Sequence, residues 1–182
     1  NASGTVKLIK YTGSSSSVSV ADSYTINGRT YKTVLGKSSS TSGPFSGNTS
    51  ITTVVLGEGV TCEGGDASYL FYGCTNLSSV NRIPSNATDI SYIFYGCESL
   101  LQLPSVPSSV TKMDYAFYNC KKASGTSDIK SSNVASAKEA FTGTTITILV
   151  PAASNTYTII KKELATSGNK STLNGEKVSS AD

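Results

Sequence analysis

One motif, repeated in phase, constrains this chain more than anything else in it. Tyr69-Leu70-Phe71-Tyr72-Gly73-Cys74-Thr75-Asn76-Leu77 is followed by Tyr92-Ile93-Phe94-Tyr95-Gly96-Cys97-Glu98-Ser99-Leu100, and then by Tyr115-Ala116-Phe117-Tyr118-Asn119-Cys120-Lys121-Lys122-Ala123. Phe71, Phe94 and Phe117 are evenly spaced, and Cys74, Cys97 and Cys120 keep the same step, a period of about 23 residues. Degraded copies flank these three. Phe45-Ser46-Gly47 lies upstream, and Ala140-Phe141-Thr142-Gly143-Thr144 lies downstream, its phenylalanine one position beyond strict phase. The chain has 5 phenylalanines, and all of them fall in this one column, so the period is structural rather than accidental.

The positions between the phenylalanines align as well. Three residues after the cysteine come Leu77 and Leu100, and six after it come Val80 and Leu103. Ile83 and Val106 follow, each ahead of a proline, and Ala87 with Val110 and Ile90 with Met113 complete the coil. Apolar residues spaced about three apart suit neither a long helix nor a hairpin meander. They suit a solenoid of about five coils, predominantly β with irregular or 3₁₀ turns, whose apolar side chains share one interior. One coil cannot bury its own Phe and Leu positions, because both of its flat faces are open. Stacking coils at the strand spacing of about 4.8 Å turns each column into a ladder. The predicted structural core is therefore Phe45, Phe71, Phe94, Phe117, Phe141, Cys74, Cys97, Cys120, Leu77 and Leu100.

The pattern Tyr-x-Phe-Tyr-Gly-Cys-x-x-Leu, the Ile-Pro and Val-Pro steps, and the run Pro107-Ser108-Ser109-Val110-Thr111 resemble BspA-like (Treponema-type) leucine-rich repeats. The resemblance covers roughly residues 43–151. It implies an α/β leucine-rich-repeat solenoid with a short parallel sheet on one side and irregular structure on the other. It also implies an exported or surface-displayed bacterial protein with a binding or adhesive role. The later coils depart from the pattern, with Ala123 in place of Leu and Thr144 in place of Cys. An insertion falls around Cys62-Glu63-Gly64-Gly65-Asp66.

The ends are expected to cap the stack within a single structural unit: a β-rich segment over 1–42, the solenoid over 43–151, and a helix and tail over 152–182. Gly4–Tyr11, Val18–Val20, Tyr24–Ile26 and Arg29–Leu35 have strand composition, and Asn27-Gly28 suits a two-residue hairpin turn. Ile146–Val150 reads as a last strand, stopped by Pro151. A short helix capped by Ser154 or Asn155 should follow, with Tyr157, Ile160 and Leu164 on one face and Gly168 at its end. Residues 169–182 read as a weakly ordered tail with a turn at Asn174-Gly175. The chain opens on Asn1-Ala2-Ser3-Gly4 rather than Met, as a processed chain would.

Composition removes several function classes. Charged residues make up 15% of the chain and its net charge is +3, with no basic stripe of the kind that binds phosphate backbones, so nucleic acid is not an expected partner. Serine and threonine supply the polarity, at roughly 30% of residues. No stretch suits direct membrane insertion. Histidine is absent, which excludes the ordinary Ser-His-Asp and Cys-His mechanisms and His-containing zinc sites. Cysteines a full repeat apart are not at zinc-ligand spacing. They read as small buried hydrophobes, with a Cys62–Cys74 disulfide as the alternative. The 12 acidic residues are expected to occupy no repeat column, and Glu58, Glu63 and Asp66 to form a solvated loop rather than a calcium or sugar site. No enzyme activity, metal or cofactor is expected.

Six of the 10 tyrosines occupy two repeat columns, Tyr69, Tyr92 and Tyr115, and Tyr72, Tyr95 and Tyr118. They flank the inward phenylalanine, so at least one column should face outward. Rows of aromatic side chains offer flat, low-entropy contact surface. The expectation is a monomeric, non-catalytic module at the cell surface or outside the cell that engages an extracellular protein or glycan through these rows. A spacer or assembly domain within a larger surface protein is the alternative, with the rows then merely shielding the stack.

Overall fold

Each coil alternates short extended runs with tight turns, and the extended runs find their partners in the coils before and after. In the computed structural model residues 4–179 are described, so the first three and last three residues, including part of the expected tail, lie outside the description. In chain order the strands are β1 (Gly4–Leu8), β2 (Ser17–Val20), β3 (Ser23–Ile26), β4 (Arg29–Leu35), β5 (Thr53–Leu56), β6 (Thr61–Cys62), β7 (Ser79–Val80), β8 (Thr126–Asp128), β9 (Thr147–Leu149), β10 (Thr172–Leu173) and β11 (Glu176–Lys177). Among the described residues a single helix, α1 (Asn155–Ser167), interrupts them, and Glu63–Gly65 forms one 3₁₀ turn at the expected insertion.

Parallel pairing between coils dominates. β1 runs alongside β4 from Gly4↔Tyr31 to Leu8↔Leu35, and β4 passes the register on to β6 at Val34↔Thr61. β2, β5 and β7 form a second parallel ladder through Ser17↔Thr53 and Thr53↔Ser79. β8, β9 and β10 form a third through Thr126↔Thr147 and Thr172↔Thr147. Single bridges continue the stacking elsewhere, from Asp66 to Asp89, Lys112 and Ser136. Parallel pairing therefore extends into the expected N-terminal cap, where β1 pairs with β4 and β2 with β5, while the β3–β4 hairpin and the Ser39–Ser42 bridge are antiparallel. The hairpin turn is the predicted one, with Asn27 and Gly28 both left-handed at φ 50° and 75°.

The far end likewise extends the stack. Ser154 caps α1 by accepting from the Tyr157 amide at 3.0 Å, and Gly168 ends it in the left-handed region, as the composition predicts. The buried face is Thr156, Ile160 and Leu164, while Tyr157 is only half buried. Thr156 is drawn inward because its hydroxyl accepts from the Val134 amide at 2.9 Å. Beyond the helix the expected loose tail is instead β10, which adds to the ladder, and β11, which folds back antiparallel through Asn174-Gly175.

The core is one column of rings. Phe45, Phe71, Phe94, Phe117 and Phe141 are at most 1% exposed. Their centroids are 5.3, 5.1, 5.8 and 5.6 Å apart in order. Tyr11 tilts onto Phe45 at 5.9 Å and covers the first ring. Burying each ring contributes roughly 1.5–3 kcal/mol, with roughly 0.5–1.5 kcal/mol more per stacked pair. Leu77 and Leu100 are fully buried beside them.

The cysteines do more than fill space. All four thiols are free and buried, so no disulfide joins Cys62 to Cys74. The Cys74 thiol donates to the Phe45 carbonyl at 3.0 Å, Cys97 to that of Phe71 at 3.1 Å, and Cys120 to that of Phe94 at 3.4 Å. In the next coil Thr144 takes the position, and its hydroxyl donates to the Phe117 carbonyl at 2.8 Å. Asn169 then donates through its side-chain amide to the Phe141 carbonyl. What the column retains is a short donor that ties each coil to the one before. Sulfur supplies it in three coils, a hydroxyl in the next and a side-chain amide in the last.

Candidate binding face

From the second coil onward the motif places two left-handed residues, two before and two after the phenylalanine; the Phe45 coil has only the second. The second is occupied by Gly47, Gly73, Gly96 and Gly143 at φ 71°, 69°, 72° and 77°, with Asn119 substituting at 58°. Glycine suits this position because it adopts the left-handed region without strain, while the nearest neighbour of a Cβ on Gly96 would be the Gly73 Cα at an ordinary 4.0 Å. The first is occupied by Tyr69, Tyr92 and Tyr115 at φ 60°, 58° and 54°, and by Glu139 at 51° in the following coil. A bulky aromatic residue in this region is an outlier that costs roughly 1–2 kcal/mol. Backbone bonds hold the conformation: the Tyr92 amide donates to the Asp114 carbonyl at 2.9 Å, and the Tyr115 amide to that of Lys138 at 2.8 Å.

This turn throws both tyrosine columns outward. Tyr69, Tyr92 and Tyr115 stack at 4.8 and 4.9 Å with interplanar angles of 7° and 11°. Tyr72, Tyr95 and Tyr118 stack at 5.0 and 4.8 Å with angles of 13° and 5°. Within each coil the two rings tilt against each other, Tyr69 on Tyr72 at 5.5 Å and Tyr115 on Tyr118 at 5.7 Å. The six side chains make one continuous face, half exposed along its length, with Tyr72 the most open at 37%. Because the rings cover one another's faces, what they show to solvent is edges and hydroxyls. Desolvation, reinforced by the neighbouring tyrosines, pushes the Tyr69, Tyr92 and Tyr95 hydroxyls above the ordinary phenol range, so all remain donors at neutral pH.

Lysines close the inner column at both ends. Lys37 Nζ lies 5.4 Å from the Tyr69 ring centroid and Lys138 Nζ lies 5.9 Å from that of Tyr115. Lys37 also pairs with Asp66 at 3.0 Å and donates to the Ser68 hydroxyl at 2.7 Å. Burial opposes the charge on Asp66, but the bonds from Ser68 and Lys37 outweigh it and hold the carboxyl below its usual range.

Asp66 corrects one expectation. It bridges to Asp89, so at least these two acids do share a repeat column, one full repeat apart and readable from the spacing. Glu58, Glu63 and Asp66 pair separately with Arg82, Lys7 and Lys37. Lys37 and Lys138 carried no sequence signal, because their role depends only on which ring ends the stack.

The cysteines offer no reactive thiol. Burial pushes the Cys62 and Cys74 thiols up to about 12, and raises those of Cys97 and Cys120 as well, so none is a thiolate nucleophile near neutral pH. No helix among the described residues is long and apolar enough to cross a membrane.

Parallel ladders stacked along a single Phe column, with one short helix, define a leucine-rich-repeat solenoid. The BspA type leucine-rich repeat region matches residues 42–167 in 6 copies, and the chain belongs to that family. Two solved structures are similar in fold. The first is the leucine-rich repeat protein of T. pallidum, at 20% identity and a TM-score of 0.57, covering 80% of this chain and 63% of that one. The second is a leucine-rich cell surface protein from Faecalibacterium prausnitzii, at 22% identity and 0.57, covering 85% of this chain and 43% of that one. The chain thus spans less than two thirds of either neighbour. No curated protein matches it.

Proposed function

We propose that this chain is a non-catalytic binding module, displayed outside a bacterial cell or on its surface, that engages a protein partner through the tyrosine face. One observation carries the reading: three successive coils hold a tyrosine in the left-handed region, where glycine would fit without strain. Stacking returns roughly 0.5–1.5 kcal/mol per ring pair, which only about offsets the roughly 1–2 kcal/mol of backbone cost. Stability alone therefore gives little reason for tyrosine at these positions, and strain kept on an exposed face suggests use. A protein fits better than a glycan, because sugars stack on ring faces and most of these faces are taken by the neighbouring rings. The cell-surface description of the F. prausnitzii neighbour supports the location.

The spacer reading is favoured by a different fact, that the chain matches only 63% and 43% of its two neighbours, as a section of a longer array would. A panel of purified extracellular proteins and a glycan array, probed with the full chain and with a Tyr92→Asn/Tyr95→Ser variant, separates the two. Protein capture that the paired substitution weakens at least tenfold, with the melting temperature nearly unchanged, supports binding through this face. Silence across both arrays, or capture indifferent to the substitutions, overturns it in favour of a spacer.

A further inference from the structure

The β3–β4 hairpin leaves the body of the solenoid as it approaches its turn. Along the core side of β4 the residues pass from Leu35 and Thr33, both buried, through half-buried Tyr31 to exposed Arg29. β6 pairs with β4 only at Val34 and Leu35, so β3 has β4 as its one partner strand, and all 4 of its residues are exposed. The register sets Tyr24 opposite Tyr31 and Ile26 opposite Arg29, which gathers these side chains on one face. Tyr24 and Ile26 are 43% and 46% exposed there. The other face carries Ser23, Thr25, Thr30 and Lys32, with the Thr25 and Thr30 hydroxyls 3.2 Å apart.

The hydrogen-bond phase of the hairpin decides what its edge offers. The Thr33 amide donates to the Asp22 carbonyl at 2.9 Å, so in the alternation of an antiparallel pair Tyr24 and Ile26 also turn their main-chain groups to β4. Those of Ser23 and Thr25 turn the opposite way and bond to no other segment among the described residues. The other outer strands are protected. β1 carries Lys7, β11 is Glu176-Lys177, and in β2 the Ser15 hydroxyl bonds both the amide and the carbonyl of Ser17. β3, Ser23-Tyr24-Thr25-Ile26, has no charge, proline or bulge, and its tyrosine, threonine and isoleucine all favour strands.

Charge selects the occupant. Arg29 and Lys32 are exposed and form no ion pair among the described residues, whereas Lys7 and Lys37 are neutralised by Glu63 and Asp66. Asp22, at the base of the hairpin, is occupied elsewhere, its carboxylate accepting from the Gly59 amide at 2.7 Å. We propose that the free edge of β3 takes an extended, acidic segment of a partner protein, which adds to the sheet as a strand. The amides and carbonyls of Ser23 and Thr25 hold its backbone, and Tyr24 and Ile26 pack against an apolar side chain on one face. Arg29 and Lys32, one strand further in at roughly 5 Å, meet its carboxylates. A second copy of this chain fits less well, because it would bring the same unpaired cations together. An anionic lipid surface would meet the cations and leave the aligned main-chain groups unused. The edge shares no residue with the tyrosine face.

The test selects peptides from a phage-displayed library of random octapeptides on the full chain, then measures the affinity of the synthetic winners for the chain and its variants. The winners should be rich in Asp and Glu. Thr25→Pro removes an amide that points away from β4, so the hairpin bonds are kept while the edge is spoiled, and binding should fall at least tenfold. The double variant Arg29→Glu/Lys32→Glu should weaken it to the same extent. Peptides N-methylated at one set of alternate residues should lose at least tenfold, and at the intervening set less than twofold, a readout that needs no variant. The inference is overturned if no acidic peptide is enriched, if the winners bind equally well when N-methylated at every position, or if Thr25→Pro leaves their affinity unchanged. Two further results would also overturn it: a dimer in sedimentation that Thr25→Pro disperses, or capture by phosphatidylserine vesicles with no peptide selected.

Discussion

The inner phenylalanine column and the outer tyrosine columns are built by the same repeat, at nearly the same ring spacing, yet they stand on different energetic footings. The phenylalanines stack at 5.1–5.8 Å with no solvent contact, and their backbone needs no unusual dihedral. Tyr69, Tyr92 and Tyr115 stack more closely, at 4.8–4.9 Å, but from a left-handed backbone and with one edge in water. Hydrophobic burial holds the first column. The second is held at its ends by Lys37 and Lys138 and at each turn by an amide bonded to the next coil. Regular stacking is thus not by itself a measure of stability; what matters is whether the backbone is at ease and the rings are dry.

Substitutions at four positions probe that contrast. The largest effect should come from Phe94→Ala, which removes a ring sandwiched between two others and should destabilise the protein by about 3–5 kcal/mol in denaturant titration. Phe45→Ala should cost somewhat less, because one side of that ring meets only the tilted Tyr11, and the reverse order of midpoints would undo the column picture. Intermediate effects belong to the thiol column. Cys97→Val and Cys97→Thr have nearly the same shape, but only threonine can donate to the Phe71 carbonyl. The threonine variant should therefore be the more stable by about 1 kcal/mol in spite of its polarity. Equal stability would return the cysteines to simple space filling.

The smallest effect, and the sharpest for the outer column, is the order of two substitutions at Tyr92. Glycine normally destabilises relative to alanine, but in the left-handed region the order should invert, with Tyr92→Gly more stable than Tyr92→Ala by about 1 kcal/mol. Thermal melts at matched concentration would show it, and the ordinary order would mean that the tyrosine turn carries no strain.

A second contrast lies along the strand side of the solenoid. Where β5 meets β7, and β8 meets β9, the ladder is continuous. At Pro104 it opens, though Leu103 beside it keeps its inward position. The column of apolar residues and the ladder of backbone bonds are therefore separable. The first follows from side-chain pattern, and the second can be removed by one ring closed on a backbone nitrogen.

Much of this was legible without coordinates. The period appears in the sequence because each coil must present the same side chains to its neighbours, so Phe45 through Phe141 mark the core directly. Asn27-Gly28, Ser154 and Gly168 announced their turn and caps because those choices depend on local dihedrals and on donors a few residues away. Other features were settled only when successive coils came into contact. The thiols became donors because a carbonyl of the preceding coil lies within reach. The tyrosines were turned outward by a left-handed backbone that no residue type there announces. Lys37 and Lys138 gained a role because a stack has ends. The ladder is interrupted at Pro104, which lies one repeat from Asn81 and from Ser127 and has no amide hydrogen to give. A repeat states which residues will be neighbours, and only the packed chain decides the backbone geometry in which they meet.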